Sequence, residues 1–124
     1  MPIRCQINHP DRMVIGVAEG AISLEDIDGF IGEIIEAKAV RYRKIVDVVA
    51  ATPNLAEQDI FEYGERSKKA PPDAKSGPIA IVATDAQGPL ARLFAQFTYD
   101  RRPTKVFRSI HEARKWLLEN TQRE

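Results

Sequence analysis

The sequence predicts an α/β fold with the element order ββαβαβαβα, in which a mixed, mostly parallel five-stranded sheet is combined with four helices. Apolar residues recur at every second position in two N-terminal segments and at every third or fourth position in three later segments. Two short β-branched runs, of which only the second has no polar residue, lie between the helical segments and indicate strands that are covered on both faces. Because helices separate the later strands, we expect those strands to be parallel and joined by right-handed crossovers.

The chain opens with a predicted antiparallel hairpin. Ile3–Ile7 and Met13–Val17 each alternate apolar and other residues, which is the period of a strand with one buried face. Between them, Asn8–Asp11 supplies asparagine and proline for a turn. These two segments therefore predict the first two strands.

From Ser23 onward the apolar period becomes that of an amphipathic helix. Ser23 and Asp26 have the spacing of a capping box, which predicts that the helix starts here. Gly29 and Gly32 inside the helix indicate either close packing against a neighbouring element or simple tolerance of glycine. The predicted inward stripe consists of Leu24, Ile27, Phe30, Ile31, Ile34 and Ile35.

Two central strands and a second helix follow. Ile45–Val49 and Ile79–Ala83 are short and rich in β-branched residues, as is typical of buried parallel strands. Between them, the segment from Asn54 to Lys69 predicts a helix that Asn54 and Glu57 would cap. Residues 70–77 are rich in proline and small residues and predict a loop.

The C-terminal third predicts a helix, a short edge strand and a final helix. Thr104–Phe107 is the predicted last strand. Ser109 and Glu112 have capping-box spacing and predict the start of the final helix. The inward residues of the third helix are Leu90, Leu93, Phe94 and Phe97, and those of the final helix are Ile110, Ala113, Trp116 and Leu117.

The composition is that of one domain covering residues 1–124. Of the 124 positions, 44% are apolar and 29% are charged, and a chain of this length supports one hydrophobic core rather than two. The 18 basic and 18 acidic residues balance, so no nucleic-acid partner is expected. Residues 1–62 carry six Lys/Arg and eleven Asp/Glu, whereas residues 63–124 carry twelve and seven. This difference in charge between the two halves of the sequence is compatible with self-association.

The sequence also constrains the compartment and the cofactors. Its apolar runs are far shorter than the ~20 residues that cross a bilayer, and its first residues lack the pattern of a secretory signal. We therefore expect a cytoplasmic protein without a transmembrane segment. Cys5 is the single cysteine, and we expect it to be a small core residue. His9 and His111 have no ligand-spaced partner, so neither a metal nor another cofactor is expected.

Ligands of open α/β sheets bind at the carboxyl ends of the strands, which here predicts a site in two loops. The first loop, Ala50–Asn54, places Thr52 and Asn54 at the start of the second helix, as a candidate phosphoacceptor or partner-binding segment or simply as caps. The second loop contains Asp85. Asp47 interrupts an apolar strand and must reach solvent or a hydrogen-bond donor. The chain has no nucleophile elbow, phosphate-binding loop or dinucleotide motif, so we predict no enzymatic activity.

Aromatic residues on the first and third helices predict a second kind of site. Phe30, Phe94 and Phe97 could line an apolar cavity for a lipid-like ligand. A helical aromatic stripe is also what an ordinary core requires, and the sequence leaves both interpretations open.

Several segments taken together resemble bacterial STAS-like proteins, which are grouped with the sporulation anti-sigma factor antagonists and, more loosely, with CRAL-TRIO lipid-exchange domains. The segments span almost the whole chain and carry no active-site motif. They are the acidic helix after Gly20–Leu24, Tyr42–Asp47, Gly77–Val82, Val106–Arg108 and Glu112–Leu117.

The resemblance implies a non-enzymatic regulatory or protein-interaction module that engages a protein partner or a second copy of itself. Phospho-regulated STAS domains carry a serine in the loop before the second helix. Here Thr52 is the only hydroxyl residue in that region, and Pro53 follows it, so we do not expect a phospho-switch. The alternative function is that of a carrier for a small apolar or lipid-like ligand, held between the helices and the sheet.

Overall fold

The computed structural model describes residues 3–53, 56–68, 77–87, 91–92 and 104–119. The described strands are β1 (Ile3–Asn8), β2 (Met13–Ile22), β3 (Arg43–Pro53), β4 (Ile79–Val82) and β5 (Thr104–Phe107), and the helices are α1 (Leu24–Glu36), α2 (Glu57–Lys68) and α3 (Ile110–Glu119). Ala91 and Arg92 are also helical. The rest of the predicted third helix, including Phe94 and Phe97, lies outside the described residues.

The strands form one sheet in the order β1-β2-β3-β4-β5. The pairing of β1 with β2 is antiparallel, and the three other pairings are parallel. β5 lies at an edge, where the sequence places it. The predicted mixed, mostly parallel α/β class is therefore confirmed. All parallel strands start at one end of the sheet, the amino end, and finish at the opposite end, the carboxyl end.

Apolar side chains alternate between the two faces of the sheet, and each face has its own helix cover. One face packs under α1, in a cluster made of Ile3, Val14, Ala18, Ile22, Phe30, Ile34, Ala39 and Ala51. The opposite face packs under α3, in a cluster made of Ile45, Ala80, Val82, Ala113 and Leu117. Ile79 and Ile81 point away from α3 and pack with Ala83 and Ala91. All of β4 is buried, as its unbroken apolar run predicts.

The start of α1 agrees with the capping-box prediction. Ser23 Oγ accepts a hydrogen bond from Asp26 N, and the Asp26 carboxylate accepts one from Ser23 N. The helix ends in a Schellman motif, in which Ala39 N donates to Ile34 O and Lys38 N donates to Ile35 O. Lys38 holds the left-handed position of this motif, with φ 59°. Glycine is the usual residue there because it has no Cβ.

The glycines of α1 are not close-packing positions. Gly29 and Gly32 are exposed, and a Cβ at either would meet open space, so of the two alternatives it is simple tolerance that holds. The tight positions are elsewhere. A Cβ on Gly16 of β2 would lie 2.6 Å from the Phe30 ring, and one on Gly77 would collide with the backbone carbonyls of Arg41 and Tyr42. Gly16 therefore lets α1 approach the sheet.

Several predicted boundaries and orientations were wrong. β2 and β3 extend well past the predicted Val17 and Val49, because they pair with each other further along. α2 begins at Glu57 rather than Asn54, and Asp59 Oδ2 accepts a hydrogen bond from Ala56 N. Two residues predicted to face inward, Ile35 and Ile110, are exposed. In contrast, Ser109 Oγ accepts from Glu112 N at the start of α3, as predicted.

Candidate functional site at the carboxyl end of the sheet

The predicted loop Ala50–Asn54 is mostly strand. β3 continues to Pro53 and pairs in parallel with Glu19–Ile22 of β2, so that Thr52 lies opposite Ala21. Thr52 is exposed on this extension, several residues before α2 rather than at its first turn. The prediction that Thr52 starts the second helix was therefore wrong. Asn54 lies outside the described residues.

A bulge in β3 explains the position of Asp47. Val17 lies opposite Asp47 and Glu19 lies opposite Ala50, so β3 has one more residue than β2 over this stretch. Such a bulge leaves backbone groups without ladder partners. Asp47 Oδ1 accepts a hydrogen bond from Val49 N at 3.0 Å. The carboxylate that interrupts the apolar run thus stabilises the irregular backbone two residues further on.

Gln87, which follows β4, connects the two predicted loops. Its Nε2 donates to the carbonyl oxygens of Val48 at 2.6 Å and Ala51 at 2.7 Å, with a longer contact of 3.3 Å to Val49 O. Its Oε1 accepts from Thr84 N at 2.9 Å. The carboxamide therefore satisfies carbonyls of the bulged strand and joins them to the turn after β4. Both amide atoms have complementary partners, which fixes their orientation.

Sequence reasoning missed the role of Gln87, although a signal for it was present. Thr84 and Gln87 have the spacing of a capping box, and the structure contains both of its reciprocal bonds, Gln87 N to Thr84 Oγ1 and Thr84 N to Gln87 Oε1. Gln87 O also accepts a hydrogen bond from Ala91 N. No local pattern, however, could predict the bonds from Gln87 to a strand more than thirty residues earlier in the chain.

Asp85 belongs to the same turn and forms an ion pair. Its two carboxylate oxygens accept from Arg108 Nη1 at 2.8 and 2.9 Å, just after β5. Both side chains are largely exposed, so the pair contributes little to stability. It joins the ends of β4 and β5 at the surface. Gln87 connects the turn that contains Asp85 to the part of β3 next to Thr52. Phe30 lies elsewhere, in the buried core under α1 and against Gly16.

The surface of the carboxyl end combines acidic and apolar groups. Val49 on β3 is 45% exposed, and Phe61 on α2 is 46% exposed. Phe61 stands between Asp59 and Glu62 in the first turns of α2, and Glu62 is exposed. Large exposed apolar side chains bordered by charges are typical of surfaces that contact another molecule. We call Asp59, Phe61 and Glu62, in the first turns of α2, the acidic-apolar surface.

The chemistry available to described side chains is limited. Burial is the largest cause that raises the pKa of the Cys5 thiol, and the charge of Glu33 and its hydrogen bond raise this pKa further. The thiol therefore stays protonated and weakly nucleophilic. No group of three His, Cys, Asp or Glu side chains among the described residues could hold a metal ion. Within the described ranges, no helix is both long and apolar enough to span a bilayer.

Comparisons with known proteins bear on the fold. No family model matches the chain, and no curated protein matches it. The structure is similar to the crystal structure of an uncharacterised protein of the DUF3478 family from Shewanella loihica PV-4, described as having a SpoIIAA-like fold. The TM-score is 0.60 at 19% sequence identity, and the match covers 93% of this chain and 91% of the other. The chain therefore has the SpoIIAA-like, STAS-like fold that the sequence predicts.

Proposed function

We propose that the protein is a non-enzymatic interaction module whose acidic-apolar surface binds a protein partner. The observation that carries this proposal is the exposure of Phe61, between Asp59 and Glu62, in the first turns of the helix that follows the carboxyl end of β3. An exposed aromatic side chain bordered by charges is the kind of residue that dominates binding energy at protein interfaces.

The partner should carry basic residues around an apolar pocket. Asp59 and Glu62 lie on either side of Phe61 in the sequence of α2. Complementary charges accelerate encounter and fix the register, whereas the buried aromatic residue supplies affinity. The strand that leads into α2 is well held, because Asp47 and Gln87 satisfy the irregular backbone of β3. A preformed surface loses less entropy on binding.

Affinity capture with three baits tests the proposal. The baits are the wild-type protein, Phe61→Ser and Leu118→Ser. Leu118 is the matched control, because it is an exposed leucine, 69% accessible, on α3. The proposal expects a protein that the wild type and Leu118→Ser retain and that Phe61→Ser loses. Recovery of the same proteins by all three baits, or of none by any, contradicts it. The mass of the purified chain measured by light scattering identifies the case in which the partner is a second copy.

The alternative, a carrier of an apolar ligand, stays a prediction. Phe30 packs into the core over Gly16, and Phe94 and Phe97 lie outside the described residues, so no described contact favours a cavity. Native mass spectrometry of freshly purified protein is the appropriate test. A bound lipid mass would support the carrier, and a bare protein mass that stays unchanged after incubation with fatty acid would remove it.

A further inference from the structure

The amino end of the sheet has a different character from the carboxyl end. Two turns meet there, the hairpin turn 9–12 between β1 and β2 and the segment 38–43 between α1 and β3. They are joined by a hydrogen bond from Arg43 N to Arg12 O at 3.2 Å and by one between His9 Nδ1 and the Tyr42 hydroxyl at 2.7 Å. We call these two turns the basic turns, because together they place Arg12, Lys38, Arg41 and Arg43 at one end of the sheet.

Two of these cations occupy backbone positions that normally hold glycine. Arg12 has φ 52° and Lys38 has φ 59°, and they are the non-glycine residues with positive φ within the described ranges. Arg12 closes a turn in which its N–H donates to His9 O, and Lys38 holds the left-handed position of the Schellman motif. A residue with a Cβ strains the backbone at such a position. Strain that persists in a fold is a reason to examine the site for function.

Three of these cations have no carboxylate partner among the described residues. Within the described part of the chain, no carboxylate forms an ion pair with Arg12, Lys38 or Arg41, and all three side chains are exposed. The nearby carboxylate of Asp11 accepts a hydrogen bond from Asn8 Nδ2, and Arg43 Nη2 donates to the backbone carbonyl of Asp11 at 2.9 Å. The carboxylate therefore caps its own turn.

A simpler interpretation accounts for one of the two cations. A lysine just beyond the end of a helix interacts favourably with the helix dipole, and Lys38 is so placed after α1. Arg12 lies in a hairpin turn, where no helix ends, so a helix dipole does not explain its position. The two strained cations share only their location at the amino end of the sheet.

We propose that the basic turns bind a phosphate group. Guanidinium groups donate paired hydrogen bonds that match phosphate oxygens, and a dianion offsets several positive charges at once. Tyr42, between Arg41 and Arg43 in sequence, adds a neutral hydroxyl that is hydrogen-bonded to His9 Nδ1. The segment that holds these residues is firmly anchored: Lys44 Nζ, whose residue is 3% exposed, donates to Val40 O and Tyr42 O, and Gly77 N donates to Val40 O.

The test removes the cations while relieving the strain. Arg12→Gly and Lys38→Gly each substitute the residue that the backbone favours, so the melting temperature should rise by about 2–4 °C in each variant. Binding of inorganic phosphate, followed by amide chemical shifts at constant ionic strength, should weaken about tenfold in each. Arg12→Asn, which also tolerates positive φ, should give the same pair of changes. Arg114→Gln on α3 is the charge-matched control and should change neither.

A second arm distinguishes the source of the phosphate. Co-sedimentation with vesicles of phosphatidic acid in phosphatidylcholine, compared with phosphatidylcholine alone, reports a lipid headgroup, whereas binding of inorganic phosphate without vesicle binding indicates a soluble ligand. Two outcomes overturn the proposal. They are binding of neither probe by the wild type, and equal phosphate binding by the Arg12 and Lys38 variants and the Arg114 control.

Discussion

The two ends of the sheet use polar residues in opposite ways. At the carboxyl end, Asp47 and Gln87 are committed to backbone groups of β3, and Asp85 pairs with Arg108. At the amino end, Arg12 and Lys38 project from strained backbone and have no carboxylate partner within the described residues. The first arrangement stabilises the irregular backbone of β3, whereas the second leaves exposed cations on strained backbone.

The largest expected effect on the free energy of unfolding is at Gly77, which packs closely against backbone at the amino end of the sheet. Gly77→Ala places a Cβ against the carbonyls of Arg41 and Tyr42, which belong to the backbone and cannot rotate away. We expect a loss of about 3 kcal/mol or more in the free energy of unfolding, measured with urea. The matched control is Gly29→Ala in α1, where space is open. That variant should gain about 0.5–1 kcal/mol. Equal effects would contradict the close approach at Gly77.

Gln87 tests the frame at the carboxyl end. Gln87→Ala removes the donor to Val48 O and Ala51 O and the acceptor for Thr84 N, so unfolding should become easier by about 2–3 kcal/mol. Gln87→Glu should destabilise at least as much at neutral pH, because it turns a carboxylate oxygen toward carbonyl oxygens. Gln6→Ala, at an exposed position of β1, should stay within about 0.5 kcal/mol of the wild type. If Gln87→Ala behaves like Gln6→Ala, the carboxamide does not hold the bulge.

A smaller effect concerns Cys5, which lies between the two ends on β1. Burial and the neighbouring Glu33 raise the pKa of its thiol in the folded chain above that in the unfolded chain. Folding therefore favours the neutral thiol, and this contribution is complete below the unfolded-state pKa and is lost as the pH rises through the folded-state pKa. Urea midpoints of the wild type should fall slightly more at alkaline pH than those of Cys5→Ala. An identical alkaline decline in both proteins would contradict this.

The smallest expected effect is at the exposed ion pair. Asp85→Ala or Arg108→Ala should change the free energy of unfolding by roughly 0.5 kcal/mol or less, because both side chains are mostly in water. Adding salt should reduce the difference from the wild type further. A loss comparable to that of Gln87→Ala would mean that the pair, rather than the carboxamide, holds the carboxyl end together.

Local sequence signals predicted the elements well and their tertiary extensions poorly. The capping boxes at Ser23 and Ser109 and the unbroken apolar run of β4 are local, and the structure agrees with each. The end of β3 was mistaken for a loop because its small residues and proline resemble one. It is a strand because it pairs with β2 and bonds to Gln87, and these partners are distant in sequence.

The candidate sites show the same limit. Asp47 and Asp85 were identified as polar residues near strand ends, and both lie at the carboxyl end. The sequence did not predict the basic turns. Glycine is the usual sequence signal of a left-handed backbone, and these positions hold Arg12 and Lys38 instead. The sequence did not predict the exposure of Phe61, because an aromatic residue in an amphipathic helix is more often buried than exposed.

Calorimetric titration of the captured partner against matched variants tests most directly whether the two ends have separate roles. We predict that Phe61→Ser weakens binding about 30-fold or more, and that Leu118→Ser and the double variant Arg12→Gly/Lys38→Gly bind as tightly as the wild type. Equal binding by Phe61→Ser and the wild type, or a loss in the double variant as large as that in Phe61→Ser, would contradict the assignment of partner binding to the acidic-apolar surface.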